Sequence, residues 1–557
     1  MIYWLIAGLL IGLIVLVSGY FRSRSLTRKR LENIRGRWAK PIEAYRNFKL
    51  ISGYLSAYDF EANISADTAA DLDIDSVFSF IDRTNSRPGQ QLLYKKLHCF
   101  DPAGDSFNKL ELQIERLCKE QDRRELIELK LSELNSVDAY HLPELFSKEH
   151  KSLFNPLIEI YIKISPILVI TSIVALSITG SQVFFLWLLA LLLTNTAIHF
   201  LNKKNILKYT HSLPQLLKLI SVSRWLVDKA VFDKNEAVKQ SLGKVSKLKK
   251  SLVLINVQNG LMNDPTDVTY IINEWFKMLF LIEPIIFVSS IAKVNKYMGD
   301  IKILYEAVAE VDICISIQSV RDGLPYYCKP DFNGAASNFI IKDLYHPLIE
   351  NCVANSIRSD NSKVVLITGS NMSGKTTFIR AIALNTLLAQ TIHTCCAVTY
   401  QAPVLKILTS IHMNDDLDAH KSYFQAEALS VLNIINNSSV NESVKSLVII
   451  DEIFRGTNTI ERIAAAMSVL THLIENENFV FVSTHDLELA ELLGNNNTVY
   501  SFEELINEVG LVFDYKIKEG VLKNKNGINV LLRLGYPQTI IDAAFKASKQ
   551  LRDKYEL

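Results

Sequence analysis

Residues 364–377 read VVLITGSNMSGKTT, and this stretch decides the fold of the C-terminal part of the chain. Its first five residues are apolar or β-branched, which is typical of a buried strand. The segment 369–376 then fits the pattern G-x-x-x-x-G-K-[ST], and a helical run follows it. Glycines let such a loop approach phosphate oxygens, while its amides and the helix N-terminus supply partial positive charge. We therefore expect Lys375 to reach the β- and γ-phosphates of a nucleotide and Thr376 to bind Mg²⁺.

Two further apolar runs end in residues that carry chemistry. The run 447–450 is followed by Asp451 and Glu452, and the run 479–483 is followed closely by His485. Because the carboxyl ends of parallel strands meet at one edge of a sheet, we expect these side chains beside the phosphate loop. Asp451 is predicted to support Mg²⁺, Glu452 to orient or activate water, and His485 to sense or position the γ-phosphate.

The texture of the chain changes near residue 330. Before it, from about residue 75, the apolar spacing is helical almost throughout. After it, short β-branched runs alternate with helical stretches such as 376–390 and 462–475, which predicts an α/β domain with a mostly parallel sheet. We therefore divide the chain into an anchor at 1–21, a basic connector at 22–74, an all-α core at 75–330 and the α/β domain at 331–557.

The N-terminal anchor is inferred from residues 2–21, IYWLIAGLLIGLIVLVSGYF, which carry no charge. Twenty helical residues cover a hydrocarbon core of about 30 Å. Basic residues follow the run at Arg22, Arg24 and Arg28 and none precedes it, which favours an uncleaved anchor over a secretory signal. This predicts a protein of the cell membrane with its N-terminus outside and the α/β domain in the cytoplasm.

A second uncharged run predicts a membrane hairpin. Residues 164–202 contain no Asp, Glu, Lys or Arg over 39 positions. One helix of that length would measure roughly 58 Å, whereas two spans of about 17 residues joined at 179–182 fit a bilayer. Lysines on both flanks place both ends in the cytoplasm. The alternative is a buried hairpin of a helical core. The apolar run 278–292 contains Glu283 and Pro284 and is only 15 residues long, which suits a packed cytoplasmic helix better than a membrane span.

Composition narrows the class of protein. Sixty Lys and Arg against 59 Asp and Glu leave a formal charge of +1, so any contact with nucleic acid must come from a local patch. The seven cysteines are scattered without a C-x-x-C pair, which argues against a disulfide framework or a zinc site. Reduced thiols in a cytosolic compartment fit this pattern best.

Taken together, these motifs resemble the ATPase domain of the MutS family of DNA mismatch-repair proteins. Residues 368–377, TGSNMSGKTT, are similar to the family's TGPNMGGKST, and Asn371 and Met372 set this loop apart from most phosphate loops. Residues 450–459, IDEIFRGTNT, are similar to MDEIGRGTST, and 483–485, STH, to ATH. Further likenesses lie at 345–347, 414–417, 422–427 and in the closing helix-turn-helix region at 526–544.

The resemblance implies a P-loop ATPase of the ABC and MutS type, with a mostly parallel α/β sheet, behind an all-α lever domain, to which the uncharged runs add transmembrane helices. It implies ATP and Mg²⁺ as cofactors, a homodimer, contact with DNA and no small-molecule substrate other than ATP. Each composite site of the dimer would receive Ser422 and the segment 455–459 from the partner, or share them. The residues implied in binding ATP are Gly369, Ser370, Asn371, Met372, Ser373, Gly374, Lys375, Thr376, Thr377 and Ser422. Thr376 and Asp451 would hold the metal, with Glu452 and His485 in catalysis.

The resemblance extends upstream with two departures. Residues 80–89, FIDRTNSRPG, are similar to the start of the family's helical core, and 310–332 to its junction with the ATPase. However, only about 50 residues separate the first span from this core motif, which leaves no room for mismatch-reading and connector domains. A membrane hairpin inside the core is also foreign to the repair enzymes. Mismatch recognition is therefore not carried over.

The sequence leaves rival functions open. The first is a membrane-tethered, DNA-interacting ATPase, for which the local basis is a cluster formed by Lys244, Lys247, Lys249 and Lys250. Lysines on one helix face are also commonly just solvated. The second is an ATP-driven membrane scaffold or motor acting on a protein or lipid partner. A transporter is the third, and the lack of an LSGGQ-like signature argues against it.

Overall fold

A computed structural model describes residues 18, 21–22, 24–58, 60, 63–99, 105–150, 154–201, 203–232, 235–250, 268–332, 338–360, 363–370, 373–411, 423–438, 444–507, 510–521, 528, 531–532 and 535–555. They form two compact units. The helical unit takes in the described parts of Met1–Phe60, Ile81–Lys95 and Lys109–Gly323. The sheet unit takes in those of Glu61–Phe80, Lys96–Asn108 and Leu324–Leu557. The four domain limits expected from the sequence stay a prediction.

The helices of the described residues follow one another along most of the chain. In order they are α1 (24–37), α2 (Phe48–Ile51), α3 (Gly53–Ala57), α4 (Ala66–Asp71), α5 (Ile74–Ile81), α6 (Arg87–His98), α7 (Asp105–Cys118), α8 (Gln121–Leu131), α9 (Glu144–Ser147), α10 (Pro156–Thr179), α11 (Gln182–Leu201), α12 (Lys203–Asp228), α13 (Glu236–Val245), α14 (Val268–Leu279), α15 (Ile282–Lys296), α16 (Met298–Gly323), α17 (Lys375–Ile392), α18 (Tyr423–Asn437), α19 (Thr459–Glu475), α20 (Glu488–Leu493) and α21 (Gln538–Tyr555).

Helix α16 is the central element of the helical unit. It is apolar on nearly all sides, and Leu304, Tyr305, Val308 and Val311 are all fully buried. A helix that is hydrophobic around its whole circumference belongs in a core, because every face needs a packing partner. The helical character expected for this part of the chain is therefore present.

A buried carboxylate joins α16 to the start of α6. Asp312 is completely buried and accepts hydrogen bonds from the amides of Asn85 at 2.9 Å and Ser86 at 2.7 Å. Burial raises the pKa of Asp312 to about 6, while the hydrogen bonds from Ser86 and Asn85 lower it. Gly89 lies directly beneath, since a Cβ atom there would come within 2.9 Å of the Asp312 side chain. The motif at 80–89 thus serves to pack α6 on α16.

The uncharged run forms two antiparallel helices, α10 and α11. They are joined through Gly180, whose φ of 61° places it in the left-handed region, and the turn is the one predicted at 179–182. Both helices are long and apolar enough to cross a membrane, and only 22% and 17% of their apolar windows are buried. The helices of a buried core hairpin would be mostly covered. The predicted anchor at 2–21 lies outside the described residues apart from Ser18 and Phe21.

The packed helix expected in the run 278–292 is present as α15, but it begins later than the run does, because the helical backbone is interrupted before it. Helix α14 ends at Leu279, and α15 begins at Ile282. Between them Leu281 has a φ of 50°, which reverses the direction of the backbone. Pro284 then lies in the first turn of the new helix, where its missing amide hydrogen is not needed. Leu281 itself is buried with Phe154, Ile162 and Phe287.

The sheet unit contains two sheets. The larger one has the strand order β5-β6-β7-β3-β8-β9, in which only the β8–β9 pair is antiparallel. The smaller one has the antiparallel order β2-β1-β4 and was not predicted. The strands are β1 (Asn338–Leu344), β2 (Asn355–Asp360), β3 (Val364–Gly369), β4 (Thr399–Gln401), β5 (Lys406–Ser410), β6 (Ser446–Asp451), β7 (Phe479–Ser483), β8 (Asn497–Asn507) and β9 (Gly510–Glu519).

The larger sheet is buried on both faces at its centre. Every residue of β3 and β7 is buried, which explains why these strands read as continuous apolar runs rather than alternating ones. At one edge, α4 lies along β5. Buried Asp71 accepts hydrogen bonds there from the hydroxyl of Thr409 at 2.6 Å and from the amide of Ile411 at 2.9 Å. The edge strand is thereby covered.

Candidate active site

The phosphate loop follows β3 and leads into α17. β3 pairs in parallel with β7 on one side and with β8 on the other. Its carboxyl end, where the loop begins, therefore lies between those of its two neighbours. Gly369 has a φ of 146°, and a Cβ atom there would lie 2.9 Å from the carbonyl oxygen of Phe502. Gly374 has a φ of 104° and caps α17. Both glycines of the sequence pattern are therefore required by the backbone itself.

The polar groups of the loop converge on one another. Lys375 is 5% exposed, and its Nζ donates to the carbonyl oxygens of Gly369 and Ser370, each at 2.8 Å. The hydroxyls of Ser370 and Ser373 are buried and have no hydrogen-bond partner within the described residues. A buried hydroxyl left without a partner costs about 1–3 kcal/mol. A phosphate, which offers several acceptor oxygens, would satisfy both.

A hydroxyl and a carboxylate meet where the metal is predicted. Thr376, in the first turn of α17, donates from Oγ1 to Oδ2 of Asp451 at 2.7 Å. The hydroxyl of Ser483 donates to the other oxygen of the same carboxylate. Hard oxygen ligands of this kind are those that Mg²⁺ prefers, usually together with phosphate oxygens and water. The residues present fit a Mg²⁺ ion held between Thr376 and Asp451.

Glu452 adopts a strained backbone conformation at the end of β6. Its φ is 57°, and its amide donates to the carbonyl oxygen of Ser483 at 2.9 Å. Such a conformation costs on the order of 1–3 kcal/mol for a residue other than glycine. It directs a carboxylate that lies 2.9 Å from Nε2 of His485 and 2.8 Å from Nε of Arg455. Two basic side chains therefore fix both oxygens of Glu452.

These neighbours also set the charge of Glu452. Burial alone would raise the pKa of the half-buried carboxyl group. The hydrogen bond from His485 and the positive charges of Arg455, His485 and Lys375 outweigh burial, so the pKa of Glu452 lies below its ordinary value. Glu452 is therefore ionised at neutral pH, and a carboxylate in that state can accept a hydrogen bond from water and orient it.

Glu427 supports the loop after Glu452 from below. It lies on α18 with 4% exposure, and its Oε1 accepts a hydrogen bond from the amide of Arg455 at 3.1 Å. Burial raises the pKa of Glu427, and hydrogen bonds from the amides of Arg455, Phe454 and Gly456 oppose that rise. Glu427 closes the motif at 422–427, but no role was predicted for it. Its only sequence signal was a charged residue on the apolar face of a helix.

A cleft of about 740 Å³ opens beside the loop. Its walls include the loop and the start of α17, the acidic end of β6, and residues 344–355 opposite them. Clefts of this size hold drug-sized or nucleotide-sized ligands. Buried His346 lines the far wall, where burial and the charge of Arg380 lower the pKa of its ring to about 4. Its Nδ1 accepts a hydrogen bond from the amide of Leu348 at 3.3 Å, so the ring is neutral.

The structure brings most of the predicted site residues together. The group at one edge of the sheet consists of Gly369, Ser370, Ser373, Gly374, Lys375, Thr376, Thr377, Asp451, Glu452 and His485. Asn371, Met372 and Ser422, predicted to contact ATP, lie outside the described residues. Arg455, expected at a dimer interface, contacts Glu452 of its own chain. Of the closing helix-turn-helix region at 526–544, residues 528, 531–532 and 535–544 are described, and α21 begins within it.

A glycine loop between a buried parallel strand and a helix, with an acidic strand end alongside, defines a P-loop domain of the ATPase type. Residues 365–552 match the family model of MutS domain V. This part of the chain is therefore similar to MutS domain V; it contains a mixed sheet and follows a helical N-terminal region.

Comparison with curated proteins gives relatives of the same kind. The chain is 30% identical over 282 residues to a protein of Ruminiclostridium cellulolyticum named DNA mismatch repair protein MutS, a stretch that covers 48% of this chain and 32% of that protein. It is 34% identical over 277 residues to the protein of that name from Clostridium tetani, covering 47% and 31%. It is 29% identical over 317 residues to DNA mismatch repair protein MSH3 of Candida albicans, covering 51% and 30%. The match thus spans about a third of the length of these relatives.

Proposed function

We propose that this protein is a membrane-tethered, MutS-like ATPase that binds and hydrolyses ATP as a dimer and binds DNA. The observation that carries the ATPase is the position of Glu452. Its ionised carboxylate is fixed by His485 and Arg455 and follows directly on Asp451, which bonds Thr376 of the phosphate loop. This arrangement supplies a phosphate site, a metal site and a group that orients water at one edge of a sheet.

Each residue has a distinct task in this proposal. The amides of the loop and Lys375 bind the β- and γ-phosphates. Thr376 and Asp451 hold Mg²⁺, which neutralises negative charge on the phosphates when it is bound. Glu452 accepts a hydrogen bond from the attacking water and aligns it with the γ-phosphate. His485 holds the Glu452 carboxylate and is proposed to sense or position the γ-phosphate through it.

The dimer couples nucleotide to assembly. In the proposed dimer, Ser422 and the segment 455–459 complete the site of the other subunit or lie across the interface. Contacts to the γ-phosphate from both subunits would exist only when the dimer is closed, so ATP binding favours the closed form and hydrolysis releases it. The support for a dimer is the relationship to MutS proteins through domain V.

Membrane tethering rests on the hairpin of α10 and α11. Large apolar side chains along both helices are exposed, including Ile167, Ile170, Ile178, Phe185 and Trp187. Exposed apolar surface of this extent on a helical hairpin is stable in hydrocarbon and unfavourable in water. With the uncharged run at 2–21, this gives three spans in the cell membrane, the N-terminus outside and the ATPase domain in the cytoplasm.

DNA binding is proposed from the relatives, which are named DNA mismatch repair proteins. The local basis is the lysine cluster at 244–250. Within it, exposed Lys244 lies 3.0 Å from Asp300 of α16, so part of its charge is already neutralised. The alternative is a membrane scaffold or motor that acts on a protein or lipid partner without mismatch recognition.

The ATPase is tested by purifying the full chain in detergent and measuring phosphate release with Mg²⁺ and ATP. Glu452→Gln should lower turnover by at least about 100-fold while ATP binding, followed with a fluorescent analogue, changes less than about threefold. The matched control is Glu491→Gln, which neutralises an exposed glutamate on α20 and should leave turnover unchanged. Turnover in Glu452→Gln at the parental rate would refute the assignment.

The partner is tested by repeating the assay with homoduplex, mismatched and branched DNA at several salt concentrations. Binding through phosphate contacts should weaken as salt rises, and stimulation by one form of DNA would support the first function. If no DNA binds and a membrane partner is released by ATP in a pull-down, the scaffold or motor function takes its place. ATP-dependent flux through reconstituted vesicles would instead indicate a transporter.

A further inference from the structure

A bidentate ion pair lies next to the site, between α19 and the turn that carries His485. Nε of Arg462 donates to one carboxylate oxygen of Asp486 at 2.9 Å, and Nη2 donates to the other at 2.6 Å. Two parallel hydrogen bonds fix orientation as well as distance. The side chains are 22% and 14% exposed, so the pair is mostly shielded from solvent, unlike an ordinary surface ion pair.

Arg462 occupies an unfavourable place for a cation. It is the fourth residue of α19, one turn from the helix N-terminus, where the helix dipole opposes positive charge. The hydrogen bonds that Arg462 donates to Asp486 are the largest cause that raises the pKa of Arg462. The helix dipole thus gives no reason for an arginine at this position, whereas its bonds to Asp486 do.

The turn that contains Asp486 is held at two points. The amide of Asp486 donates to Oγ1 of Thr484 at 3.0 Å, and the amide of Thr484 donates to the carbonyl oxygen of Ile367 in β3 at 3.0 Å. This fixes one side of the turn to the sheet, and the ion pair fixes the other side to α19. His485 lies between the two points with its ring 39% exposed, so packing alone does not select its rotamer.

We propose that Arg462 and Asp486 are positioning residues that hold His485 against Glu452. Neither they nor His485 are among the described residues that line the cleft, whereas Glu452 is, so the pair acts on the site through the contact between His485 and Glu452. By fixing the turn, they keep Nε2 of His485 at hydrogen-bond distance from the Glu452 carboxylate. This inference rests on the proposed ATPase function and assigns the pair to the hydrolysis step, not to ATP binding.

The test compares steady-state ATPase kinetics of the full-length chain with those of Asp486→Asn, Arg462→Met and the double variant. Each single change should lower kcat about tenfold with KM changed less than about twofold, because orientation of the water is lost while the phosphate loop is intact. The double variant should be no worse than either single one, since both act through one contact. Arg462→Lys, which keeps the charge without the fork, should recover only part of the rate.

A further readout separates positioning from general damage to the fold. In a His485→Asn background, Arg462→Met should have no additional effect on the rate constant of ATP hydrolysis measured under single-turnover conditions. Lys445→Met is the matched control, since it breaks the Lys445–Glu477 ion pair, which joins the segments that precede β6 and β7 at the opposite edge of the sheet. This change should leave kcat unaltered.

The outcomes are distinct. A wild-type chain without Mg²⁺-dependent turnover would overturn the proposed function, and this inference with it. Wild-type turnover together with unaltered kcat in Asp486→Asn would overturn the inference alone. An equal loss of rate from Arg462→Met in the presence and absence of His485 would also overturn it, because the pair would then act on the fold in general.

Discussion

The hydroxyl of Thr376 and the carboxylate of Asp451 are 75 residues apart in the sequence and 2.7 Å apart in space. One stands at the start of α17 and the other at the end of β6. β3, which leads into α17, and β6 both pair with β7 in parallel. The carboxyl ends of these two strands therefore lie at the same edge of the sheet. The two oxygens are held by the most buried part of the unit, so little ordering is needed when a metal binds.

Asp451→Asn should therefore weaken the metal site without disturbing the loop. The amide oxygen of asparagine can still accept from Thr376, but the negative charge that attracts Mg²⁺ is lost. We expect the Mg²⁺ concentration for half-maximal ATPase activity to rise by at least about tenfold. A magnesium titration at fixed ATP measures this, with exposed Asp542→Asn on α21 as control. An unchanged magnesium dependence would contradict the role of Asp451.

Gly89→Ala should destabilise the helical unit. Its new methyl group would collide with the buried side chain of Asp312, which is held by hydrogen bonds at the start of α6. Overpacking of this kind costs about 1–3 kcal/mol in free energy of unfolding. Gly243→Ala, inside α13 with no atom within 4 Å of the new methyl group, should instead be neutral or stabilising by up to about 1 kcal/mol. Thermal unfolding of both variants checks the contrast, which equal stabilities would contradict.

His346 should make the sheet unit sensitive to mild acid. Burial lowers the pKa of His346 from 6.5 to about 4, so the unfolded chain binds a proton at a higher pH than the folded chain does. Stability from this residue is fully present above pH 6.5 and is lost as the pH falls toward 4, by about 3 kcal/mol.

His346→Asn, whose Oδ1 can accept from Leu348 in place of Nδ1, should flatten the dependence of unfolding on pH between 6.5 and 4. Denaturant unfolding at stepped pH values measures this. His472→Asn removes an exposed histidine of α19 and leaves the buried His346 in place, so this variant should keep the parental slope. Parallel slopes in all three chains would argue against a buried neutral imidazole at position 346.

Asn195 should anchor the hairpin to the rest of the helical unit. Its Oδ1 accepts from the hydroxyls of Tyr161 at 2.7 Å and Ser165 at 3.0 Å, while its Nδ2 donates to the carbonyl oxygen of Leu279 at 2.7 Å. Asn195→Leu would leave the buried hydroxyl of Ser165, and the partly buried hydroxyl of Tyr161 and carbonyl oxygen of Leu279, without this partner, at about 1–3 kcal/mol. Thr171→Val removes an exposed hydroxyl that donates to the carbonyl oxygen of Leu168 within α10 and is the control. Thermal unfolding in detergent should separate the two variants, and equal midpoints would show that the contact carries no weight.

The sequence was most informative where a structural signal is local. The phosphate loop could be located because its glycines, lysine and threonine are contiguous, and each is required by backbone conformation or phosphate geometry. The ends of β6 and β7 could be located because strands buried on both faces read as uninterrupted apolar runs before a polar residue. The strands and helices nearest the site therefore fall within a few residues of their predicted limits.

Contacts between distant residues left no such signal. Nothing in the local sequence of Glu427 indicates that its carboxylate meets the amide of Arg455, because that contact depends on how α18 packs. The small sheet of β1, β2 and β4 was missed because its strands are short and mixed in polarity. The break at Leu281 was missed because a non-glycine residue in the left-handed region has no compositional mark.

The hydrogen bonds from Thr409 and Ile411 to Asp71 connect two parts of the polypeptide that are synthesised at very different times. The edge strand β5 of the larger sheet is therefore covered by α4, a helix that is translated more than 300 residues earlier. A fragment that begins near residue 330 would lack Asp71. The buried hydroxyl of Thr409 and the amide of Ile411 would then have lost their hydrogen-bond acceptor. Recombinant fragments designed to contain the sheet unit alone should therefore include residues 61–80.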